Sequence, residues 1–327
     1  MRIQVVALAA ACLAAPYGIA FAGSVDDLTQ IVAFGDSLSD PGNASIATLG
    51  DKPGPGYATR TIPDVPFPVG YYTNPQSGSG PSGLWIDQLA GRMGVTDPMP
   101  FLAPGGGTNY AFASAQTGGT TNPATGAPSL NSQVGLYLTA TGGAASSTSL
   151  YTFWGGGDNL LFPSSETPQQ AANDIENQIL TLHSAGAQTF LWLNLPALGD
   201  IPALNTNPVT QAAGNLFSSL FDQQWSADIT ALHALGIDVV GVDINDLFAQ
   251  MLADPAAYGF TNVTDACNAT PGCDPNTFAF WDTEHPTTEA DSLIADVAYA
   301  DLTAVPEPAG YALFMLSLIH ISEPTRP

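Results

Sequence analysis

Ser37 and His285 have the side chains and the settings for nucleophilic chemistry. Ser37 lies in Phe34-Gly35-Asp36-Ser37-Leu38-Ser39-Asp40, directly after the apolar, β-forming run 30–34 (QIVAF). A serine at the C-terminal end of a buried first strand sits where α/β sheets open their ligand crevices. The glycine two residues before it permits close backbone approach and an unusual turn. Gly, Asp and Ser are also ordinary turn residues, so this stretch alone fits a plain strand-to-helix turn equally well. Serine is a weak nucleophile unless a base takes its proton. The candidate base comes late, in Trp281-Asp282-Thr283-Glu284-His285-Pro286. An aspartate three residues before a histidine, on a turn, can set its carboxylate against the imidazole. It then fixes the tautomer and stabilises the imidazolium. Glu284 competes for that part, but the spacing suits Asp282 better. Of the 4 histidines, His183 and His233 fall in amphipathic helical stretches and His320 lies near the end, which leaves His285 in a loop beside acids.

The elements that must position these groups read as strands alternating with helices. Strand-like runs occupy 30–34, 149–154 (SLYTFW), 189–195 (TFLWLNL) and 237–242 (IDVVGV). Helical periodicity covers 84–93, 167–185, 215–235 and 288–302, two of these opening on Thr-Pro or Thr-Thr-Glu start signals. Residues 108–115 read as extended, and 41–83, rich in Pro, Gly, Ser and Asn, as a long loop region that shapes the substrate cleft. Alternation of this kind implies βαβ units and an α/β fold, with a mostly parallel sheet covered on both faces.

Composition bounds the function. The chain has 327 residues, 45% hydrophobic, with 29 acidic side chains against 5 basic ones and a net charge of −24. So acidic a surface repels nucleic acid and anionic lipid headgroups, and it disfavours polyanionic substrates. Arg2, the short apolar run 5–15 and Ala20-Phe21-Ala22 read as a secretory signal peptide over 1–22, with the mature chain starting near Gly23. Pro16 and Gly18 interrupt that run, which is too short to span a bilayer. Of the 3 cysteines, Cys12 falls in this leader, and Cys267 and Cys273 are expected to pair as a small-loop disulfide in an oxidising compartment. Two cysteines with no histidine at ligand spacing do not make a zinc site.

Taken together, the motifs resemble the conserved blocks of the GDSL (SGNH) family. Residues 34–40 resemble the first block and Asp282 to Pro286 the last. Gly107-Thr108-Asn109-Tyr110-Ala111 resembles the second, and Trp154-Gly155-Gly156-Gly157-Asp158-Asn159 the third. Asn194-Leu195-Pro196-Ala197-Leu198-Gly199 is similar to a stretch that many larger members carry. The likeness runs in order over residues 30–303. It implies a flavodoxin-like three-layer α/β domain over 23–304. It also implies hydrolysis of esters, thioesters and acyl groups on sugars or lipids, by a Ser37–His285–Asp282 triad with no metal or organic cofactor.

The chain departs from the family pattern in the oxyanion hole. The second-block glycine is replaced by Ser114, whose backbone donor survives the change. The third block usually reads Gly-x-Asn-Asp, but here Asp158 precedes Asn159. An ionised carboxylate aimed at a developing oxyanion would raise the barrier. Asp158 and Asn159 are both candidates for the hole: either the loop shifts by one residue so that Asn159 donates beside the Ser37 and Ser114 amides, which is the expectation, or activity is weak. The resemblance favours an exported carboxylesterase or lipase acting on a small-molecule, lipid or acylated-sugar ester. Polysaccharide deacetylation is the alternative within that chemistry, and a non-catalytic surface or matrix protein is the alternative outside it.

Residues 305–327 open on Val305-Pro306-Glu307-Pro308 and resemble a truncated PEP-CTERM sorting signal. That resemblance implies a Gram-negative source, membrane sorting machinery as a partner, and a periplasmic, cell-surface or extracellular location. The segment 317–327 (SLIHISEPTRP) resembles a translated sequencing adapter more than natural protein.

Overall fold

The computed structural model describes residues 25–304. The leader expected over 1–22 and the Pro-Glu-Pro tail at 305–327 lie outside the described residues. In chain order the strands are β1 (Gln30–Gly35), β2 (Ala58–Arg60), β3 (Val69–Tyr71), β4 (Ser149–Trp154), β5 (Thr189–Leu193), β6 (Asp238–Val242), β7 (Asn262–Ala266) and β8 (Phe278–Phe280). The α-helices are α1 (Asn43–Ala47), α2 (Trp85–Met93), α3 (Leu130–Ala140), α4 (Gly157–Leu161), α5 (Pro168–Ser184), α6 (Pro208–Ala234), α7 (Ile244–Ala253) and α8 (Thr288–Thr303).

The apolar runs form a parallel sheet in the order β1-β4-β5-β6. Ala33 N–H donates to Thr108 O and Tyr110 N–H to Ala33 O, so the extended segment read at 108–115 lies parallel along the free edge of β1. This gives the α/β fold expected from the sequence. Every residue of β4 and β5 is buried, as continuous apolar strands require when helices cover both faces. Helices α2 and α8 pack together on one side, and α3, α5 and α6 on the other. Helix α5 begins as its sequence predicts: Thr167 Oγ1 accepts from Gln170 N–H, and the Gln170 side chain accepts from Thr167 N–H.

Three segments differ from the sequence expectation. Helix α6 starts at Pro208, ahead of the predicted 215, because the Asn207 side chain caps it by accepting from Val209 N–H. Helix α3 forms where no helix is expected. Its Asn, Ser and Gly are weak helix formers, but Leu130, Val134 and Tyr137 share one buried face and Ser129 caps the start. The region 41–83 contains α1 and the antiparallel ribbon β2–β3. It is clamped to the loop before α8, where Thr73 Oγ1 donates to Pro286 O and Asn74 Oδ1 accepts from Thr288 N–H.

Candidate active site

Ser37 lies two residues beyond Gly35, the last residue of β1, and the turn there depends on that glycine. A Cβ at Gly35 would run into Trp154 O of the paired strand β4. Gln133 of α3 holds the same glycine from the side: its Oε1 accepts from Gly35 N–H at 3.0 Å and its Nε2 donates to Gly35 O at 2.9 Å. Asp36 is buried, and its Oδ1 accepts from Leu38 N–H, which closes the turn that presents Ser37. Burial is the main cause raising the Asp36 carboxyl to about 7, against the lowering effects of the Leu38 amide and His285.

His285 arrives on the loop between β8 and α8. Trp281 N–H donates to His285 O, and Thr287 N–H to Ala279 O, folding this loop against β8. His285 Nε2 lies 2.8 Å from Ser37 Oγ across 248 residues of sequence. On the other side of the ring, Nδ1 lies 2.7 Å from Asp282 Oδ2. Asp282 Oδ1 accepts from the backbone N–H groups of Glu284 and His285 at 2.8 and 2.7 Å. A carboxylate can only accept these bonds. The network therefore assigns the proton to Nδ1, leaving Nε2 to accept from the serine hydroxyl. Ser37, His285 and Asp282 thus stand in one hydrogen-bonded line, whereas Glu284 makes no such contact with the ring.

The electrostatics suit a base. Burial pulls the His285 imidazole down, but Asp282, Glu284 and Asp36 outweigh it and the net shift is upward. Burial pushes the Asp282 carboxyl up. The charge of His285 and the bonds from His285, Tyr57 and the Glu284 amide bring it well below the usual carboxylate range. Tyr57, just ahead of β2, donates its hydroxyl to Asp282 Oδ2 at 2.7 Å. The Tyr72 ring lies 4.9 Å from the imidazole, centroid to centroid. The sequence reading did not single out either tyrosine, since nothing local in 41–83 marks a residue destined for a partner more than two hundred positions away.

The family-block residues around Ser37 are structural anchors. Fully buried Asp40 accepts from the N–H groups of Gly42, Asn43 and Ala44, and from Ala113 across the cleft. Asn43 Nδ2 donates to Asn109 O and Ala111 O, and Asn109 Nδ2 donates to Ser39 O. Together with the bond from Phe112 N–H to Gly35 O, these carry Ser114 to the level of Asp36 and Ser37. Ser114 has φ 67°, the left-handed conformation that glycine adopts most readily. The amides on either side of it donate to Asp40 and to Phe112 O.

Asn159 does not take the place expected of it. Its Nδ2 donates to Glu166 Oε2 at 2.6 Å and to Thr117 Oγ1 at 3.2 Å, and its Oδ1 accepts from Thr117 N–H. The amide is fully engaged behind the site. Asp158 instead lines the pocket that contains Ser37 and His285. The two are neighbours on α4, where consecutive residues point about 100° apart, so only one can face the serine. The Asn159 hypothesis is corrected accordingly. Cys267 and Cys273 do come together, with Cα atoms 5.5 Å apart.

The pocket that contains Ser37 and His285 is also lined by the apolar side chains of Trp154, Leu161, Leu195, Leu198, Phe248 and Phe280. Pro196, Ile201, Phe248 and Phe280 also border a second cavity of about 230 Å³, which continues toward Met251, Leu252 and Val263. The Asn-Leu-Pro stretch builds this junction. Asn194 Oδ1 accepts from Ile244 and Asn245 N–H at the start of α7, and Leu195 N–H donates to Asp222.

Esterase EstA of Pseudomonas aeruginosa is 27% identical over 94% of this chain and 53% of its own length, so the chain spans about half of that relative. A GDSL esterase/lipase of Arabidopsis thaliana is 25% identical over 88% of this chain and 89% of its own. Among solved structures, Est24, a carbohydrate acetylesterase from Sinorhizobium meliloti, aligns over 88% of this chain and 100% of its own at 14% identity and a TM-score of 0.44. The GDSL-like lipase/acylhydrolase family matches residues 31–298, almost all of the described chain, and this protein belongs to that family.

Proposed function

We propose that this protein is an exported serine hydrolase that cleaves carboxylic esters carrying an apolar acyl chain. The observation that supports it most is the bonded line Ser37–His285–Asp282, with Nε2 free to accept the hydroxyl proton. His285 takes that proton as Ser37 Oγ attacks the ester carbonyl. The charge moves to the carbonyl oxygen, to which the backbone amides of Ser37 and Ser114 donate. Collapse expels the alcohol, which takes the proton back from His285. Water then repeats the cycle on the acyl-enzyme. Export rests on the leader composition, the acidic surface and the adjacent Cys267 and Cys273.

The apolar lining of the Ser37 pocket, and the cavity that shares Pro196, Ile201, Phe248 and Phe280 with it, support acyl chains longer than acetyl. Each buried methylene contributes about 0.8 kcal/mol, or roughly fourfold in kcat/KM. The test is a series of nitrophenyl esters from acetyl to decanoyl, with acetylated xylan alongside. kcat/KM is expected to climb about fourfold per methylene over the first several carbons and then level off, with little activity on the xylan. A fluorophosphonate should label Ser37. A maximum at acetyl, or preference for the xylan, would favour polysaccharide deacetylation. Failure to label Ser37 would favour a non-catalytic protein.

A further inference from the structure

Asp158 stands where the family places a neutral amide donor, and its surroundings do not suit a carboxylate. It is only 5% exposed, and its Oδ2 is buried with no hydrogen-bond partner among the described residues. Among the described residues no basic side chain pairs with it. Arg60 is paired with Asp87 and Arg92 with Asp296, neither arginine lines the pocket that holds Ser37, and Lys52 is exposed on the 41–83 segment. The groups facing it are Asp36 from the end of β1, Glu284 and His285 from the loop before α8, and Tyr72 from the segment after β3. Two of these are acids that oppose further negative charge. Tyr72 stays neutral because burial, Asp40 and the other nearby acids raise its hydroxyl. His285 is the one group there able to become positive, and it is neutral in the form that accepts the Ser37 proton.

We propose that Asp158 works as a neutral carboxylic acid whose O–H donates the third hydrogen bond to the oxyanion formed on Ser37. This deepens the esterase reading above and rests on it. The proton stays on Asp158 throughout: it is shared with the oxyanion in the tetrahedral intermediate and is not consumed. The proton that leaves with the alcohol is the one His285 took from Ser37. Burial first, then Asp36 and Glu284, raise the Asp158 carboxyl well above its ordinary value, which keeps that proton in place at neutral pH. A carboxylic acid held neutral by its site is a competent oxyanion donor. The inversion of Asp158 and Asn159 relative to the family pattern then preserves the donor and adds an alkaline limit. Once Asp158 ionises, the pocket holds a carboxylate facing the oxyanion, and kcat declines.

The experiment compares kcat against pH for the wild type, Asp158→Asn and Asp158→Ala on one nitrophenyl ester. Infrared difference spectra of wild type minus Asp158→Asn are recorded over the same pH range. The wild type should lose kcat on the alkaline side by about tenfold per pH unit. Asp158→Asn should lack that limb, and Asp158→Ala should lose about 10²–10³ in kcat at neutral pH. The carbonyl stretch of a protonated carboxylic acid should appear at neutral pH and fade as wild-type kcat falls. An unchanged alkaline limb in Asp158→Asn overturns the proposal. So does near-wild-type kcat in Asp158→Ala, or absence of the protonated-acid band. If the wild type takes no fluorophosphonate on Ser37, the esterase reading itself fails, and the infrared band still reports separately whether Asp158 holds a proton.

Discussion

Replacing Ser37 by alanine is expected to lower kcat by about 10⁶-fold while leaving the fold intact. Its Oγ is the atom that would form the acyl bond, and it lies in hydrogen-bond contact with His285 Nε2. Neighbouring groups cannot substitute. Ser39, two residues on, is buried and accepts from Trp85 Nε1, and Ser114 lies on a separate segment where it supplies backbone. Ser37 is partly exposed and anchors no other element, so its removal should change stability by no more than about 0.5 kcal/mol. Removing His285 should cost nearly as much, and the double variant little more than either single one, because the two act as a unit. Steady-state kinetics with a thermal melt on each variant checks this. Residual activity above about a hundredth of wild type in Ser37→Ala would put the nucleophile elsewhere.

Asp282→Asn should lower kcat by about 10⁴-fold and move the acid limb of kcat/KM downward. In the wild type, burial acts to lower the His285 imidazole, and Asp282 foremost overrides it, so the ring protonates above its ordinary value. Activity needs neutral imidazole, so the wild-type acid limb should lie above the usual imidazole range. Asparagine removes the raising influence and keeps the burial, so the remaining activity should persist to lower pH. The loss in rate follows from the same exchange. An amide N–H facing Nδ1 selects the tautomer with the proton on Nε2, which cannot accept from Ser37. Tyr57→Phe is the milder companion, because Asp282 keeps its bonds from Nδ1 and from two backbone amides. A pH–rate profile for each variant reads both effects. An acid limb that stays in place in Asp282→Asn would mean that Glu284 or Asp36 sets the imidazole.

Much of this was legible in the chain itself. Strands β1, β4 and β5 are mostly apolar runs and are buried on both faces, while β6, at the sheet edge, is buried only in part. Ser37, Asp282 and His285 stood out because each belongs to a short local pattern whose chemistry can be named. Long-range packing decided what such patterns do not carry. Tyr57 reaches Asp282 because the ribbon β2–β3 is clamped to the loop before α8, through bonds spanning more than two hundred residues. Helix α3 forms because its buried face docks on β1, in spite of weak local propensity. The choice between Asp158 and Asn159 is the sharpest case. The sequence establishes that the two are adjacent. Which one faces Ser37 depends on the rotation of α4, and Thr117 and Glu166 set that rotation by holding the Asn159 amide. A helical phase fixed by partners from other segments cannot be read from the residues that share it.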